Sequence, residues 1–535
     1  MRIYDVNIGI DKILKSELNK MKKILYVPLD DRPCNYLYPS LIAKIADDIK
    51  LLTPPFSLMG KCKRAGNSAL IWEWLFKEAP NADYAVLSVD TLVYGNIIHS
   101  RIHNRTMDEI HMYLNNFEKL NSINPALKIE AFNLVARAAA YNDSFEDPDY
   151  WDTYGESIWK YGYLKDKIAR NAADGAEKAE FEKTEKAIPQ EYLNDFLERR
   201  EKDLYVNLYC AELTQRGIFS RLVIPKDDTA EYGYAAMDQR KISAVINEKE
   251  LADRIMVYPG ADEVGSVLLS RVFCLIHNYK PRIFVRYSSV LGPTVVPRYE
   301  DRPLGESVKA QITSAGGIVC DTAAESDLLF AVHSPGKIQE ECCTQQNKDI
   351  SYATHCCLPE FFNYIKYYNE AYSKPIALSD VAFSNGADTE MMRYAKKAGI
   401  LNMISAYGGW NTSENTNGMC LAHIIIHSYY AKHGFKNNGL LRSEEFAARK
   451  IAEDYLFQAQ TMLSLYRLIP EKFGGCSPRY CAEIEKEAAE LSGSLLVNKL
   501  NEEFGGRLFN KNVVLGDFTL PWDRINELGF TLSLV

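Results

Sequence analysis

The chain has 535 residues and a formal net charge of −9 at pH 7. Because no long basic run offsets this negative charge, we expect no nucleic-acid partner. No stretch reaches about 18 uninterrupted apolar residues, so we expect no membrane span. Residues 1–20 carry charges throughout and lack the apolar core of a secretory signal. With 12 cysteines and no export signal, the sequence predicts reduced thiols and a cytoplasmic location.

Short apolar runs rich in Val, Ile, Leu and Tyr recur along the chain, and each ends in a polar cluster. Continuous rather than alternating apolar character is typical of strands that are buried on both faces. In chain order the runs are ILYVPL before Asp30, YAVLSV before Asp90, IEAFNLV before Ala136, RLVIP before Lys226, RIMVYPG before Ala261, RIFVRY before Ser288, LLFAVH before Ser334, PIALSDVAF before Ser384 and MISAY before Gly408.

Segments with helical spacing lie between most of these runs, among them SLIAKIADDI, ALIWEWLFKEA and EMMRYAKKAGI. Alternation of strand and helix predicts an α/β protein with parallel strands and right-handed crossovers. The carboxyl ends of the strands then meet on one face, where chemistry is usually located. Eight or nine units favour a (β/α) barrel-like core. The alternative is two doubly wound α/β halves, with a break near residue 250 or 310.

The predicted domain organisation has one large core with two additions. Residues 21–430 form the barrel-like catalytic domain, and a charged helical insertion over 142–205 covers the site. Residues 431–535 form a mostly helical C-terminal region whose tail, around Pro521, contains one or two strands. Residues 1–20 are an N-terminal extension, either the product of an upstream start codon or a short extra helix.

Two neighbouring carboxylates, Asp227 and Asp228, follow a predicted strand in LVIPKDDTAEYG. When two such groups leave water together, one pKa rises, which prepares a proton donor beside an anion. Glycoside hydrolysis needs this division of labour. The alternative is that one Asp caps the next helix, as strand-end Asp residues commonly do.

Other polar side chains at predicted strand ends add to a concave site that is rich in acidic and hydrogen-bonding groups. Such a site suits a polyhydroxylated ligand, or a divalent cation bound through oxygen. Arg101, Arg137 and Arg286 either balance the charge, hold an anionic group, or form salt bridges at the rim. The candidate binding residues in this set are Asp30, Asp31, Asp90, Tyr94, Arg137, Asp262, Glu263, Asn385 and Asp388.

The segment AYGGWNTSENTNG, residues 406–418, combines glycines, a tryptophan and several amides directly after an apolar run. Trp410 is predicted to stack on a sugar face, while Asn411, Glu414 and Asn415 bond hydroxyl groups. In the alternative interpretation, the Asn and Thr side chains satisfy the backbone of their own loop, and Trp410 plugs the mouth of the barrel.

The sequence lacks the motifs that identify several common enzyme classes. The chain contains no HExxH, GxSxG, P-loop or strand-linked GxGxxG motif, which disfavours zinc hydrolases, serine hydrolases, kinases and dinucleotide enzymes. Cys342–Cys343, and Cys356–Cys357 beside His355, lack the two-residue gap of a zinc site. We therefore expect no metal site and no cofactor.

The motifs PLDDRPCN, SVDTLVYG, PKDDTAEYG, YPGADEV, DVAFSNGAD and GGWNTSENTNG occur in the order found in a large bacterial family. From Met21 onward the chain resembles this family, domain of unknown function 4127. The resemblance implies a cytoplasmic bacterial protein and brings no settled activity.

A looser similarity of layout is to N-acetyl-hexosaminidases of the O-GlcNAcase and hyaluronidase type. These are (β/α) barrels with an acidic pair after the fourth strand, and later an Asn turn, an Asp and an Asn-rich segment before a long helix. The similarity implies that Asp228 is the general acid/base and that Asp227 orients a substrate acetamido group. It also implies that Asn385 and Asp388 hold sugar hydroxyls, although the Asn turn here lacks the aromatic residue of those enzymes.

Together these patterns predict a glycoside hydrolase-like enzyme that acts on a small amino sugar or oligosaccharide by carboxylate acid/base catalysis. One alternative is an oxygen-ligated divalent-metal hydrolase or lyase that uses Asp30, Asp90, Asp227 and Asp262. A second alternative is a non-catalytic protein that binds or senses sugars. The expected partner is a small carbohydrate, and the sequence leaves the oligomeric state open, a homo-oligomer included.

Overall fold

The computed structural model describes residues 21–535, so the predicted N-terminal extension lies outside the described residues. Its first half is built on a parallel sheet with the strand order β2-β1-β3-β4-β5-β6. Apart from the edge strand β2, the strands are buried over most of their length, which explains their continuous apolar sequences. They are β1 (Lys22–Val27), β2 (Ile49–Leu52), β3 (Tyr84–Ser88), β4 (Lys128–Phe132), β5 (Arg221–Lys226) and β6 (Ile255–Pro259).

Helices connect these strands and cover both faces of the sheet. They are α1 (Pro33–Tyr36), α2 (Tyr38–Ala43), α3 (Ser68–Glu78), α4 (Val89–Val93), α5 (Ile97–Ile102), α6 (Met107–Ile123), α7 (Trp151–Ala169), α8 (Gly175–Ala187), α9 (Gln190–Gln215), α10 (Tyr234–Glu248) and α11 (Val264–Ile276). The predicted helical insertion contains α7 and α8, and α9 continues beyond its expected end to Gln215. Local signals set several boundaries; for example, Thr106 and Glu109 form a capping box at the start of α6.

The second half contains another parallel sheet with the order β13-β11-β9-β7-β8, and a short parallel pair of β10 with β12. Its strands are β7 (Arg282–Tyr287), β8 (Ile318–Val319), β9 (Leu328–His333), β10 (Glu340–Glu341), β11 (Ile376–Asp380), β12 (Phe383–Ser384) and β13 (Ala406–Gly408). Its helices are α12 (Leu304–Ser314), α13 (Ser351–Thr354), α14 (Leu358–Tyr372), α15 (Thr389–Lys397) and α16 (Ser413–His433).

The C-terminal region continues with helices and ends in an antiparallel sheet, in the order β14-β15-β16. A π-helix, Ile451–Thr461, joins α17 (Gly439–Lys450) to α18 (Met462–Lys472), and α19 (Glu485–Phe504) precedes the strands. The strands are β14 (Arg507–Leu508), β15 (Lys511–Thr519) and β16 (Gly529–Leu534). Shorter 3₁₀ segments are Phe56–Leu58, Ala79–Asn81, Cys342–Asn347, Ile400–Asn402, Ala482–Ile484 and Pro521–Asp523.

The predicted α/β class, parallel strands, helical insertion and mostly helical C-terminal region are confirmed. Among the described residues, all the parallel strands except the short pair of β10 with β12 belong to two sheets, and the division falls between β6 and β7. This pairing corresponds to the alternative arrangement of two doubly wound halves that the sequence left open. Helices α11 and α16 pack against each other, with α11 against the first sheet and α16 against the second. The domain boundaries themselves stay predictions.

Close contact between the two halves depends on a glycine. A Cβ atom added at Gly418, on α16, would lie 2.2 Å from Glu263 Cγ and 3.0 Å from Val267 Cγ2. The two helices can therefore approach only where α16 has no side chain. In the part of the chain that the structure describes, no helix is both long enough and apolar enough to cross a bilayer.

Candidate functional site

A cavity of about 630 Å³ lies where the carboxyl ends of strands from both sheets meet. From the first sheet, it receives side chains that follow β1, β5 and β6. From the second half, it receives side chains that follow β12 and β13, and the C-terminal segment before β16 supplies a further wall. The first sheet contributes Arg32, Asp227, Asp228 and Asp262, and the second half contributes Asn385, Trp410, Asn411 and Asn415.

The structure thus brings eight of the predicted site residues together at one cavity. They are Arg137, Asp227, Asp228, Asp262, Asn385, Trp410, Asn411 and Asn415. Because parallel strands all point the same way, the polar clusters that follow them converge even when they are far apart in the chain. This convergence is geometric, and the chemical roles of the residues stay predictions.

Asp227 and Asp228 are each held by an arginine. Asp227 Oδ2 accepts a hydrogen bond from Arg101 Nη2 at 2.6 Å, and Asp228 Oδ2 accepts one from Arg137 Nη1 at 2.9 Å. Burial, with the neighbouring Asp227 charge, raises the pKa of Asp228 to about 6, although Arg137 opposes the shift. Asp228 also has a φ of 35°, in the left-handed region that non-glycine residues rarely adopt.

Neither aspartate caps the following helix. Helix α10 begins at Tyr234 with Gly233 as its N-cap, and no side chain accepts a capping hydrogen bond there. The capping alternative considered for Asp227 and Asp228 is therefore wrong. Gly233 has a φ of 117°, which explains why a glycine occupies this turn.

Asp262 joins the two halves at the cavity. Its carboxylate forms an ion pair with Arg32 and accepts a hydrogen bond from Asn411 Nδ2 at 3.2 Å. Its backbone N–H donates to Asn415 Oδ1 at 3.0 Å. Burial raises the pKa of Asp262, while Arg32 acts in the opposite direction. Two predicted ligand-binding amides thus also fix Asp262 of the other half, Asn411 through its carboxylate and Asn415 through its backbone N–H.

Contacts on both sides hold the loop around Trp410. Asp454, on the π-helix, accepts a hydrogen bond from the Gly409 backbone N–H at 2.7 Å. The Lys450 ammonium lies 5.7 Å from the centre of the Trp410 ring. Thr416 Oγ1 donates to the Trp410 carbonyl at 2.6 Å, so one of the predicted loop-stabilising contacts is present.

Asp30 and Asp31 lie behind the cavity wall rather than on it. Asp30 is fully buried and pairs with Arg32 at 2.7 Å. Asp31 Oδ1 accepts a hydrogen bond from Trp522 Nε1 at 2.8 Å, and burial raises the pKa of Asp31 to about 6. These two predicted ligand-binding residues support the wall, because their carboxylates are already bonded to side chains that line it.

Four other predicted binding residues do not line the cavity. Asp90 accepts hydrogen bonds from Asn133 Nδ2 and the Leu134 N–H, and burial raises its pKa to about 7. Tyr94 is buried with its ring 4.4 Å from that of His103.

The other two of the four, Glu263 and Asp388, are bonded to other groups of the fold. Glu263 is fully buried and accepts a hydrogen bond from the Ala261 N–H at 3.0 Å. Asp388 caps α15 and lies 3.0 Å from His333 Nε2. Asp90, Tyr94, Glu263 and Asp388 therefore do not line this cavity, and their roles in binding a ligand stay predictions.

Sequence patterns did not identify several residues of the site. Glu146, in the loop before α7, forms ion pairs with Arg101 at 3.0 Å, Arg137 at 3.1 Å and Arg524. These three guanidinium groups hold the pKa of Glu146 well below its usual range. Glu146 follows no strand, so only its dense acidic surroundings, SFEDPDYW, could have indicated it.

The C-terminal segment PWDRINE forms the other unexpected wall. Trp522 lies between two guanidinium groups, 4.5 Å from Arg32 and 4.8 Å from Arg524. Glu527 lines the cavity while only 2% of it is exposed. The concentration of aromatic and charged residues around a proline is the signal that could have marked this segment.

The four aspartates that would bind a metal ion in the metal-dependent alternative already form hydrogen bonds or ion pairs with other side chains. Asp30 and Asp262 both pair with Arg32, Asp227 pairs with Arg101, and Asp90 bonds to Asn133. Within residues 21–535, no group of three or more His, Cys, Asp or Glu side chains is arranged to hold a metal ion. The cysteines of the same residues are free thiols.

Comparison with solved structures found distant likeness to structures of one enzyme. The carboxyl transferase domain of Rhizobium etli pyruvate carboxylase with 3-bromopyruvate is 8% identical at a TM-score of 0.19, with 91% of this chain and 62% of that chain covered. A variant of Rhizobium etli pyruvate carboxylase crystallised without acetyl coenzyme A is 10% identical at a TM-score of 0.19, with 92% and 35% covered. The chain thus spans less than two thirds of these proteins, and scores this low carry no argument.

No match was found among curated proteins. The family resemblance carried by the strand-end motifs is confirmed over almost the full length. Residues 24–531 match the family described as "Protein of unknown function (DUF4127)", and the chain belongs to that family.

Proposed function

We propose that the cavity is the active site of a glycosidase-type hydrolase that acts on a small carbohydrate. The observation that carries the proposal is the pairing of Asp228, whose pKa is raised to about 6, with Asp227, which an arginine holds at 2.6 Å. Asp228 therefore keeps its proton up to about pH 6, well above the usual range of an aspartate, while its neighbour Asp227 is paired with the Arg101 guanidinium. This is the combination that cleavage of a glycosidic bond requires.

In the proposed reaction, Asp228 donates its proton to the leaving-group oxygen. The Asp227 carboxylate stabilises the positive charge that develops on the sugar ring as the bond breaks. Water then attacks the ring carbon, and the Asp228 carboxylate accepts a proton from that water. Arg101 and Arg137 position the two carboxylates through the hydrogen bonds described above.

Three amides are arranged to bind the hydroxyl groups of such a ligand. One end of each is fixed: Asn411 Nδ2 and Asn415 Oδ1 bond to Asp262, and Asn385 Nδ2 bonds to Glu341 at 2.9 Å. Within the described residues, the other amide atom of each has no protein partner. Fixed amides with one open end provide oriented hydrogen bonds at low entropic cost, and Trp410 offers an apolar face for the ring.

The test is a panel of chromogenic glycosides, with and without chelator, on the wild-type protein and Asp228→Asn. We expect cleavage of at least one glycoside, a loss of about 100-fold or more in kcat for Asp228→Asn, and retained ligand-induced shifts in melting temperature. Saturable sugar binding without turnover would instead favour the sugar-sensing alternative. Activity that disappears with chelator and returns with magnesium would favour the metal alternative. The cytoplasmic location stays a prediction.

A further inference from the structure

The side chains that line the cavity carry more negative than positive groups. Five arginines face six carboxyl groups, and further acids contact these arginines from behind. The arginines are Arg32, Arg101, Arg137, Arg479 and Arg524, and the acids are Glu146, Asp227, Asp228, Asp262, Glu341 and Glu527. Asp30, Asp143 and Asp147 each pair with one of these arginines from behind. The positive groups are therefore already neutralised by the chain itself.

Glu527 is the carboxyl group of this cavity that the chain satisfies least. Its Oε1 lies 3.5 Å from Arg32 Nη1 and 3.8 Å from Arg524 Nη2, longer than good charge-assisted hydrogen bonds. In the described part of the chain, its Oε2 accepts no hydrogen bond. Burial raises the pKa of Glu527 to about 7, and the charges of Asp262 and Asp30 add to the shift against the two arginines.

Glu341, another acid of the cavity, provides a contrast. Its Oε1 accepts a hydrogen bond from the Tyr299 hydroxyl at 2.6 Å, and its Oε2 accepts one from Asn385 Nδ2 at 2.9 Å. Both of its oxygens are therefore occupied. A donor supplied by a ligand would find an open carboxylate oxygen at Glu527 and none at Glu341.

We propose that the ligand of this cavity carries a protonated amine and that Glu527 binds this ammonium group. The inference rests on the proposed function and narrows its substrate class to sugars with a free amine rather than an acetamido group. An anionic ligand would find the arginines of the cavity already paired with carboxylates of the chain, so it would gain little from them. A neutral sugar offers Glu527 only hydroxyl donors, which bind a carboxylate less strongly than an ammonium group does, and the two arginines lie too far away for short hydrogen bonds.

Binding of a cation has a consequence that binding of a neutral sugar lacks. The ammonium favours the ionised form of Glu527, so its pKa falls and the carboxyl group releases a proton. Proton release makes the heat of binding depend on the ionisation enthalpy of the buffer. The neighbouring charged groups that set this equilibrium are Arg32, Arg524, Asp262 and Asp30.

The experiment is isothermal titration calorimetry at pH 7 in two buffers of different ionisation enthalpy. The ligands are glucosamine, glucose, N-acetylglucosamine and glucuronate. We expect glucosamine to bind about tenfold more tightly than glucose or N-acetylglucosamine, with buffer-dependent heat for glucosamine alone. Glu527→Gln should remove both the preference and the buffer dependence. Glu527→Asp, which retains the charge, should restore part of the preference.

Glu341→Gln is the matched control, since it also removes one carboxylate from the cavity wall, and it should keep the glucosamine preference. Glucosamine binding no more tightly than glucose, or a preference that survives Glu527→Gln, would overturn the inference. The proposed function fails separately. If no glycoside is cleaved, the hydrolase proposal fails, and the preference for glucosamine still decides whether Glu527 binds an amine. If a glycoside is cleaved but glucosamine is not preferred, the hydrolase proposal stands and the role of Glu527 is refuted.

Discussion

Asp262 and Asn411 come from different halves of the molecule, and their side chains meet in a 3.2 Å hydrogen bond at the cavity. Asp262 follows β6 of the first sheet, and Asn411 follows β13 of the second. The contact fixes the relative position of the two loops and leaves the second amide atom of Asn411 open. The same side chain therefore serves both to hold the wall and to offer a hydrogen bond to a ligand.

Asn411→Gly should weaken ligand binding by about tenfold, because one protein hydrogen bond and one ligand hydrogen bond are lost. Glycine is chosen because Asn411 has a φ of 69°, which glycine adopts without strain. Isothermal calorimetry with the sugar that binds the wild-type protein measures the change.

Asn438→Gly is the matched control, since Asn438 is exposed and has a φ of 66°. We expect its affinity to equal that of the wild-type protein. Equal affinities for Asn411→Gly and Asn438→Gly would show that Asn411 does not contact the ligand.

Activity should fall as the pH rises above about 6, because that is the value to which the pKa of Asp228 is raised. The protonated, proton-donating form dominates below this pH and is lost above it. The expected decrease in kcat/KM is about tenfold for each pH unit above the pKa. Initial rates between pH 5 and pH 8 with the best chromogenic glycoside provide the measurement.

The variant Asp228→Asn supplies the comparison for this pH profile, since its side chain has no proton to lose. Any residual rate of that variant should lack the decrease. A wild-type rate that stays level or rises between pH 6 and pH 8 would mean that Asp228 is not the proton donor.

Convergence of the strand-end residues could be predicted because it depends on one local feature. Each polar cluster directly follows an apolar strand, and parallel strands place all such ends on the same side. Asp227, Asp262 and Asn411 therefore meet at the cavity although the chain separates them widely. A barrel of one closed sheet and a fold of two separate sheets both have this local pattern of strands and polar clusters. The pattern therefore could not show that the sheets divide between β6 and β7.

Two other features depend on information that local patterns lack. Asp388 follows a strand as Asp262 does, but its loop turns it into the cap of α15. The direction of a loop depends on packing that no short motif records. Glu146 and Glu527 reach the cavity from segments without a strand before them, so no strand-end rule could place them.

Glu146→Ala should destabilise the fold by about 3 kcal/mol, because three arginines would lose a shared, largely buried counter-charge. Arg101, Arg137 and Arg524 all contact this carboxylate. Urea denaturation followed by tryptophan fluorescence measures the free energy of unfolding.

The control for this loss is Glu306→Ala, which removes an exposed carboxylate paired with Lys309 within α12. Such exposed pairs contribute little to stability, so we expect no measurable change. If both variants unfold at the same urea concentration, the Glu146 cluster does not stabilise the fold.

Gly418→Ala should destabilise the protein by about 1–3 kcal/mol, since the added methyl group forces α16 away from α11. The new Cβ would lie 2.2 Å from Glu263 Cγ, a distance that the helix backbone cannot absorb without moving. Because Asn415 and Asp262 lie at the start of these two helices, the displacement should also weaken ligand binding.

Gly175→Ala tests whether this loss comes from crowding or from alanine itself. Gly175 begins α8, and a Cβ added there meets no atom within 4 Å. Alanine at an uncrowded helical position reduces the entropy of the unfolded chain, so we expect unchanged or slightly higher stability. A Gly418→Ala variant as stable as Gly175→Ala would mean that the two helices can separate without cost, and the two halves of the cavity would then not be held in a fixed relation by this contact.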